Sequence, residues 1–232
     1  MRCQGRYERE ARAQGYRLVA GVDEVGRGSL FGPVFAGAVV LNPERPIRGL
    51  RDSKELPAER REELSARIRE RAIAWAVAAA DAYEIDTINI LQASRLAMRR
   101  AVERLQPAAD FLLIDYISVD LPVAQRSFVH GDAICQSIAA ASILAKVERD
   151  ACMCAWDRVF PEYGLASHKG YFAPEHLRAL DEHGPTSLHR FSFEPVRERC
   201  RHLLWAGYPE QGELFDRSAD NSIETEAVAA CK

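Results

Sequence analysis

The chain has 232 residues, a formal charge of −3 at neutral pH, and 47% hydrophobic against 28% charged residues, which suits one globular domain with a tail or a small second lobe. No apolar run approaches the roughly 20 residues of a membrane helix, and the charged start MRCQGRYEREARAQG lacks the apolar stretch of a secretory signal, so the expected location is the cytoplasm, with no membrane partner. Cys3, Cys135, Cys152, Cys154, Cys200 and Cys231 form no C-x-x-C pair, and His168, His176, His183 and His189 show no H-E-x-x-H spacing, which argues against a disulfide framework or a zinc site.

Residues 17–22 and 33–41 read as strands, the second almost wholly apolar and so central. Between them lies GVDEVGRGSLFGP, in which Asp23 and Glu24 adjoin an apolar run and Arg27 stands between Gly26 and Gly28. A pleated strand sends neighbouring side chains to opposite faces, so the strand is expected to end or distort at Glu24, a departure that Gly26 would permit. Residues 42–54 are a Pro/Gly-broken loop ending in DSK, and residues 56–72 a surface helix with Pro57 near its start. Residues 72–82 are alanine-rich and read equally as helix or third strand. Residues 85–105 have helical spacing, with Asp86 or Thr87 as the expected cap. DFLLID is a short buried strand ending on Asp115, and RSFVHGD another ending at Asp132. One long helix is expected to follow, with Asp132 as its N-cap, and PEHLRALDEHG reads as a short helix started by Pro174 and stopped by Gly184.

The last segment, residues 209–232, holds six acids and two bases, a charge of −4, which leaves about +1 on residues 1–208. The expected organisation is therefore one domain over 1–208 and a flexible acidic tail over 209–232. A nearly neutral body can still present a basic face, so net charge does not exclude nucleic acid.

Asp23, Asp115 and Asp132 share a context: each is an acid at or near the end of a short apolar strand. Such acids converge where open α/β sheets bind ligands. Carboxylates gathered there repel unless cations neutralise them, and oxygen ligands without histidine or cysteine suit Mg2+ or Mn2+. Two such ions about 4 Å apart are a standard device for phosphodiester cleavage. Taken singly, Asp132 reads equally as a helix cap and Asp115 as a strand end.

Together, GVDEVGRGSLFGPV, DSK at 52–54, LLID at 112–115, GDAICQSIAAASILAKVERD at 131–150, HKGY at 168–171 and GPTSLHRFSFEPVR at 184–197 resemble bacterial ribonuclease HII, in order from about residue 17 to 200. With 22 residues ahead of Asp23, the extra N-terminal domain of its cousin ribonuclease HIII is not expected. The resemblance implies a ribonuclease H-like α/β fold: a mixed five-stranded sheet flanked by helices, with a C-terminal helical extension forming a substrate groove. It implies a metal-dependent endoribonuclease that cleaves RNA in RNA–DNA hybrids and incises 5′ of single ribonucleotides embedded in duplex DNA, leaving 3′-hydroxyl and 5′-phosphate ends. It assigns Asp23, Glu24, Asp115 and Asp132 as catalytic and metal-binding, with two Mg2+ or Mn2+ ions in the substrate complex. Gly26, Arg27 and Gly28 would read the ribose 2′-hydroxyl, because glycine lets main-chain groups approach closely. Tyr171 would stack on the following sugar. Lys54, Lys146, His168, Lys169 and Arg190 would contact phosphates or support the site, and Ser53 would organise the DSK loop.

Four positions depart from the family pattern. Ser29 stands where proline or alanine is common, Tyr116 where glycine is, His130 where lysine is and Cys135 where serine is. His130 puts one phosphate contact in doubt, and Cys135 would remove a hydroxyl contact to the nucleic-acid backbone. No departure removes a carboxylate, which disfavours a binding module that has lost catalysis. A different nuclease or resolvase on this fold would leave GRG and HKGY unexplained.

In the tail, Gln211, Leu214 and Phe215 have Q-x-x-L-F spacing and resemble the short motif by which bacterial repair proteins dock on the sliding clamp; the alternative is a tail that folds back onto the body. The expected state is a monomer.

Overall fold

The apolar run before Asp23 lies at the centre of one mixed sheet. The computed structural model describes residues 5–200 and Gln211; of the proposed clamp motif, Leu214 and Phe215 lie outside the described residues, as does the rest of the tail. In chain order the elements are α1 (Arg6–Ala13), β1 (Val19–Val25), β2 (Val34–Val40), α2 (Ala58–Arg71), β3 (Ala74–Ala80), α3 (Ala82–Glu103), β4 (Phe111–Asp115), β5 (Ala124–Phe128), α4 (Gly131–Ile134), α5 (Gln136–Asp157), α6 (Leu165–His168), α7 (Pro174–His183) and α8 (Glu194–Cys200). The strand order is β3-β2-β1-β4-β5. The first three strands pair antiparallel, and β4 and β5 add parallel beside β1. Among the described residues no helix is long and apolar enough to cross a membrane.

Alternation along β1 fixes which helix meets which residue. Ala20 and Val22 join Ala93, Ala97, Met98 and Ala101 of α3 in one apolar cluster. Gly21, on the other face, lies against α5: a Cβ there would be 2.0 Å from the Ser137 carbonyl carbon, and one on Gly37 of β2 would be 2.4 Å from the Ala141 carbonyl oxygen. The two glycines let α5 lie almost on the sheet backbone. A separate apolar cluster, with Phe31, Met153, Tyr163, Leu180 and Val196, holds the C-terminal helices beside the end of β1.

One open reading is decided and two local expectations are corrected. The alanine-rich stretch is a strand, since Ala74, Ala76, Ala78 and Ala80 are buried against α3 while β2 supplies the backbone partners. Helix α3 begins earlier than its apolar spacing suggests: Asp81 caps it, accepting from Glu84 N–H at 2.8 Å, while the Glu84 carboxylate accepts from Asp81 N–H in return. Asp86 instead accepts from the Phe191 and Ser192 N–H groups and from the Ser192 hydroxyl. The long helix after Asp132 is two helices, because Cys135 is extended (φ −117, ψ 126) between α4 and α5. Asp132 therefore sits inside α4 and does not cap α5. That duty falls to Glu8 of α1, whose buried carboxylate accepts from Ser137 N–H at 2.7 Å, Ser137 Oγ at 2.9 Å and Cys135 Sγ at 3.2 Å.

Candidate active site

The sheet forks at the acids. β1 stays paired with β2 through Val25 opposite Phe35, and leaves only at Gly26, where φ is +95. The distortion expected at Glu24 is absent. What opens is the other side: the parallel pairing of β1 with β4 stops at Val22 opposite Ile114. One step further in the same register come Asp23 and Asp115, on the face that α5 covers. Adjacent strands lie about 4.8 Å apart, so the fork begins with two carboxylates side by side. Glu24 leaves β1 from the opposite face, and Asp132 arrives on α4. All four acids line one cavity of about 360 Å3, with Ser53, Lys54, Lys146 and Tyr171 on its walls.

Burial is the first cause of every carboxylate shift here. It pushes Asp23 well above the usual carboxylate range, and the charges of Glu24 and Asp115 push the same way. Glu24 rises to about 7, although the Arg27 guanidinium 3.5 Å away opposes the rise. Asp132 rises to about 6 through burial and then the neighbouring Asp52 and Asp115. Asp115 is raised by burial and partly relieved by the Gly131 N–H it accepts at 2.7 Å. For Lys54, burial works to lower the amine, but Asp52, Asp132, Asp23 and Asp115 together hold it above its ordinary value.

Such a cluster favours protons or cations. Glu24 Oε2 is buried without a hydrogen-bond partner among the described residues, and all the donors are hard oxygens, so the residues fit Mg2+ or Mn2+. Among the described residues no three acid, histidine or cysteine side chains stand, as placed, in an arrangement that would by itself hold a metal ion. An open arrangement suits Mg2+, which keeps waters and shares its shell with substrate phosphates.

Beside the acids, the glycine–arginine–glycine loop is pinned from beneath. Arg190, fully buried, donates to the carbonyls of Arg27 at 2.7 Å, Gly26 at 2.8 Å and Gly32 at 3.0 Å. Burial, then repulsion by Arg149, lowers its guanidinium to about 9. Arg149 donates to Ser29 Oγ at 2.7 Å and lies 5.0 Å from the Tyr171 ring centre. A Cβ on Gly26 would be 2.2 Å from Arg149 Nε, so this position needs glycine both for its positive φ and for space.

The family model for ribonuclease HII matches residues 20–196, which spans every element of this site. The chain belongs to the ribonuclease HII family. It is 64% identical over 215 residues to ribonuclease HII of Solibacter usitatus, covering 93% of each chain, and 58% identical over 231 residues to that of Koribacter versatilis, covering 98% of this chain and 88% of the relative. Among solved structures it is similar to ribonuclease H2 of Pyrococcus horikoshii (TM-score 0.68, 25% identity, 80% of this chain and 98% of that one). It is also similar to the ribonuclease HII chain of a PCNA complex from Archaeoglobus fulgidus (TM-score 0.66, 25% identity, 77% and 96%). As a ribonuclease HII the chain is an endoribonuclease, a hydrolase of phosphodiester bonds, on a ribonuclease H-like fold.

The remaining expected site residues divide by location. Gly28 is exposed at the loop tip, and Arg27 packs 5.8 Å from the ring of Tyr116, which takes the left-handed backbone (φ +63) where glycine is common. Ser53 is buried and shares a 3.0 Å hydrogen bond with Ser142, which in turn hydrogen-bonds Asp23. Lys146 faces the cavity but is ion-paired with Asp150 at 2.7 Å. Lys169 donates to the Ala166 carbonyl at 2.6 Å and His168 to the Tyr163 carbonyl at 2.7 Å; both are engaged with their own loop. Arg190 stands on the supporting side of its expectation. Cys135 is fully buried and directed at Glu8, so its replacement of serine changes the cap of α5 and no surface contact.

Sequence reasoning missed Asp52, Ser142 and the pair His176–His189, and left Arg149 open between a site contact and a solvated helix residue. His189 Nε2 and His176 Nε2 are 3.2 Å apart, His176 Nδ1 donates to the Tyr171 carbonyl at 3.0 Å, and His189 Nδ1 accepts from Thr186 N–H at 3.0 Å. This chain works only with neutral rings. Burial, then the nearby His168, holds His176 near 4, and burial, then His176, holds His189 near 3. Asp52 was visible in the DSK stretch; the others show no local signal, since their partners lie in distant segments.

Proposed function

We propose that this endoribonuclease is metal-dependent, cleaves the RNA strand of RNA–DNA hybrids and incises 5′ of single ribonucleotides in duplex DNA, leaving 3′-hydroxyl and 5′-phosphate ends, and so serves ribonucleotide removal from DNA in the cytoplasm. The observation that carries it is the four-carboxylate fork beside a main-chain loop pinned by Arg190. Asp23, Glu24, Asp115 and Asp132 would hold two Mg2+ or Mn2+ ions, which supply charge neutralisation and an acidified water when bound. The protein's own part is positioning. Lys54, protonated and at the cavity wall, meets the phosphate charge. Gly26, Arg27 and Gly28 present main-chain groups to the 2′-hydroxyl, the group that separates RNA from DNA. Tyr171 offers a ring to the next sugar, with Lys146, His168 and Lys169 supporting the groove.

The test is cleavage of duplex DNA holding one ribonucleotide, with Mg2+ and then Mn2+. Asp23→Asn is expected to abolish cleavage while hybrid binding persists; retained cleavage would overturn the mechanism. The Archaeoglobus ribonuclease HII forms a complex with PCNA, which supports a clamp partner for Gln211, Leu214 and Phe215 on an otherwise monomeric protein. Binding of a clamp by the wild-type chain and its loss in Leu214→Ala/Phe215→Ala tests this; equal binding ends it.

A further inference from the structure

Helix α3 is broken at Asn89 (φ 70, ψ 165), and a break frees main-chain groups that must find partners. Asn89 Oδ1 accepts from Gln92 N–H at 3.0 Å, restarting the helix like an N-cap, and Gln211 Oε1 accepts from Ile90 N–H at 2.8 Å. The break sets off the first turns of α3 as a separate piece, and Asp86 lies buried within it.

Both carboxylate oxygens of Asp86 are taken by the two residues that follow Arg190. Oδ2 accepts from Phe191 N–H at 2.8 Å, and Oδ1 accepts from Ser192 N–H at 3.0 Å and from Ser192 Oγ. Gln211 Nε2 adds a second tie between the same segments, donating to the Ile85 carbonyl at 3.2 Å and to Ser192 Oγ at 2.6 Å. On the other side, Arg190 N–H donates to the Leu30 carbonyl at 2.9 Å. The Arg190 main chain is thus held by Leu30 at its own N–H and by Asp86 at the next two.

A fully buried guanidinium also needs its charge answered. The carbonyls it donates to, those of Gly26, Arg27 and Gly32, carry no net charge. Burial and then Arg149 act to lower it, whereas Tyr171 and Asp86 favour its charged form. Asp86 therefore serves Arg190 both in position and in charge.

We propose that Asp86 is a positioning residue for the loop of residues 26–28: from α3 it fixes where Arg190 stands, and Arg190 fixes the carbonyls of that loop. The proposal rests on the reading of the loop as the part that meets the ribose 2′-hydroxyl. Asp86 is outside the lining of the acid cavity, so its loss acts on substrate recognition and spares the chemical step.

Asp86→Asn is the sharpest change, because an amide keeps one acceptor oxygen and turns its NH2 toward the other backbone N–H, donor against donor. On duplex DNA holding one ribonucleotide, it is expected to raise KM about fivefold or more with kcat within about twofold of wild type. Asp86→Glu, which keeps the charge but moves both oxygens by a methylene, should raise KM about threefold, and it serves should the asparagine variant not fold. In the Arg190→Lys background, Asp86→Asn should add less than about twofold, because both changes act through one guanidinium. Unchanged KM in the Asp86 variants, or full multiplication of the two effects in the double variant, would overturn the proposal. Arg190→Lys alone separates it from the loop reading. If that variant raises KM and the Asp86 variants do not, only the role of Asp86 falls; if it too leaves KM unchanged, the loop reading falls as well.

Discussion

Arg190 reaches across 164 positions of sequence to donate to the carbonyl of Gly26 at 2.8 Å. The same guanidinium holds Arg27 and Gly32, so one buried side chain sets the shape of the loop beside the acids. Removing it leaves three carbonyls without their charged donor, each bond worth about 1.5–3 kcal/mol. Arg190→Lys keeps a charge but loses the planar fork. We expect Arg190→Lys to fold with a lowered melting temperature and to raise KM for single-ribonucleotide duplex about tenfold, with a smaller change in kcat. Steady-state kinetics with a melting curve checks this; an unchanged KM would show that the loop is fixed otherwise.

Glu24 carries a pH-dependent burden. Its folded pKa of about 7 exceeds its ordinary 4.5, with burial the first cause, so the ionised form is disfavoured in the folded protein above pH 7. The penalty fades as pH falls through 7 toward 4.5. Without divalent ions, Glu24→Gln should therefore melt higher than wild type at pH 8, by on the order of 2–3 kcal/mol in stability, and the gain should shrink at pH 5. Adding Mg2+ should raise the wild-type melting temperature more than that of the variant. A gain independent of pH would sink this account.

His176 and His189 push the other way. Their folded values near 4 and 3 lie below the ordinary 6.5, so the unfolded chain binds protons first as pH falls. Each costs about 1.4 kcal/mol of stability for every pH unit below 6.5 until its folded value is reached. Since the raised acids act oppositely over part of this window, the clean readout is a difference. The stability gap between wild type and His189→Asn should narrow steadily from pH 6.5 to 4; parallel curves would contradict the neutral-ring network.

Gly21→Ala should be among the most damaging small substitutions. Its added methyl would stand 2.0 Å from the Ser137 carbonyl carbon, which is backbone and cannot step aside. Lifting α5 from the sheet costs about 3 kcal/mol or more and moves Ser142 away from Asp23. Thermal melts and cleavage should fall together, whereas Gly28→Ala, with open space around it, should leave the melting temperature within about a degree.

Much of this was legible in the chain, for physical reasons that differ by residue. Asp23 and Glu24 stand out because a charge at the end of a core strand has few structural uses, whereas Gly26, read as permitting a distortion at Glu24, takes its positive φ just past an intact strand. The alanine-rich strand was undecidable locally: alanine favours helix, and only pairing with β2 selects otherwise. The extended Cys135 and the break at Asn89 were invisible because apolar spacing runs on through both. Their causes, Glu8 and Gln211, are tertiary partners more than 100 positions away. Arg190 stands inside the GPTSLHRFSFEPVR stretch, yet its burial, which decides what it touches, has no sequence signature.

The fork between β1 and β4 makes the acid site a gauge of distance. Backbone hydrogen bonds tie the two strands only as far as Val22 and Ile114; beyond them, Asp23 and Asp115 have no zipper to hold their separation. Cations seated between them would act as the last rung of that ladder. Affinity for divalent ions would then report how far apart the tines stand. Crowding at Val22 or Ile114 that leaves the fold intact would register first as weakened ion binding, well before it registered as lost structure.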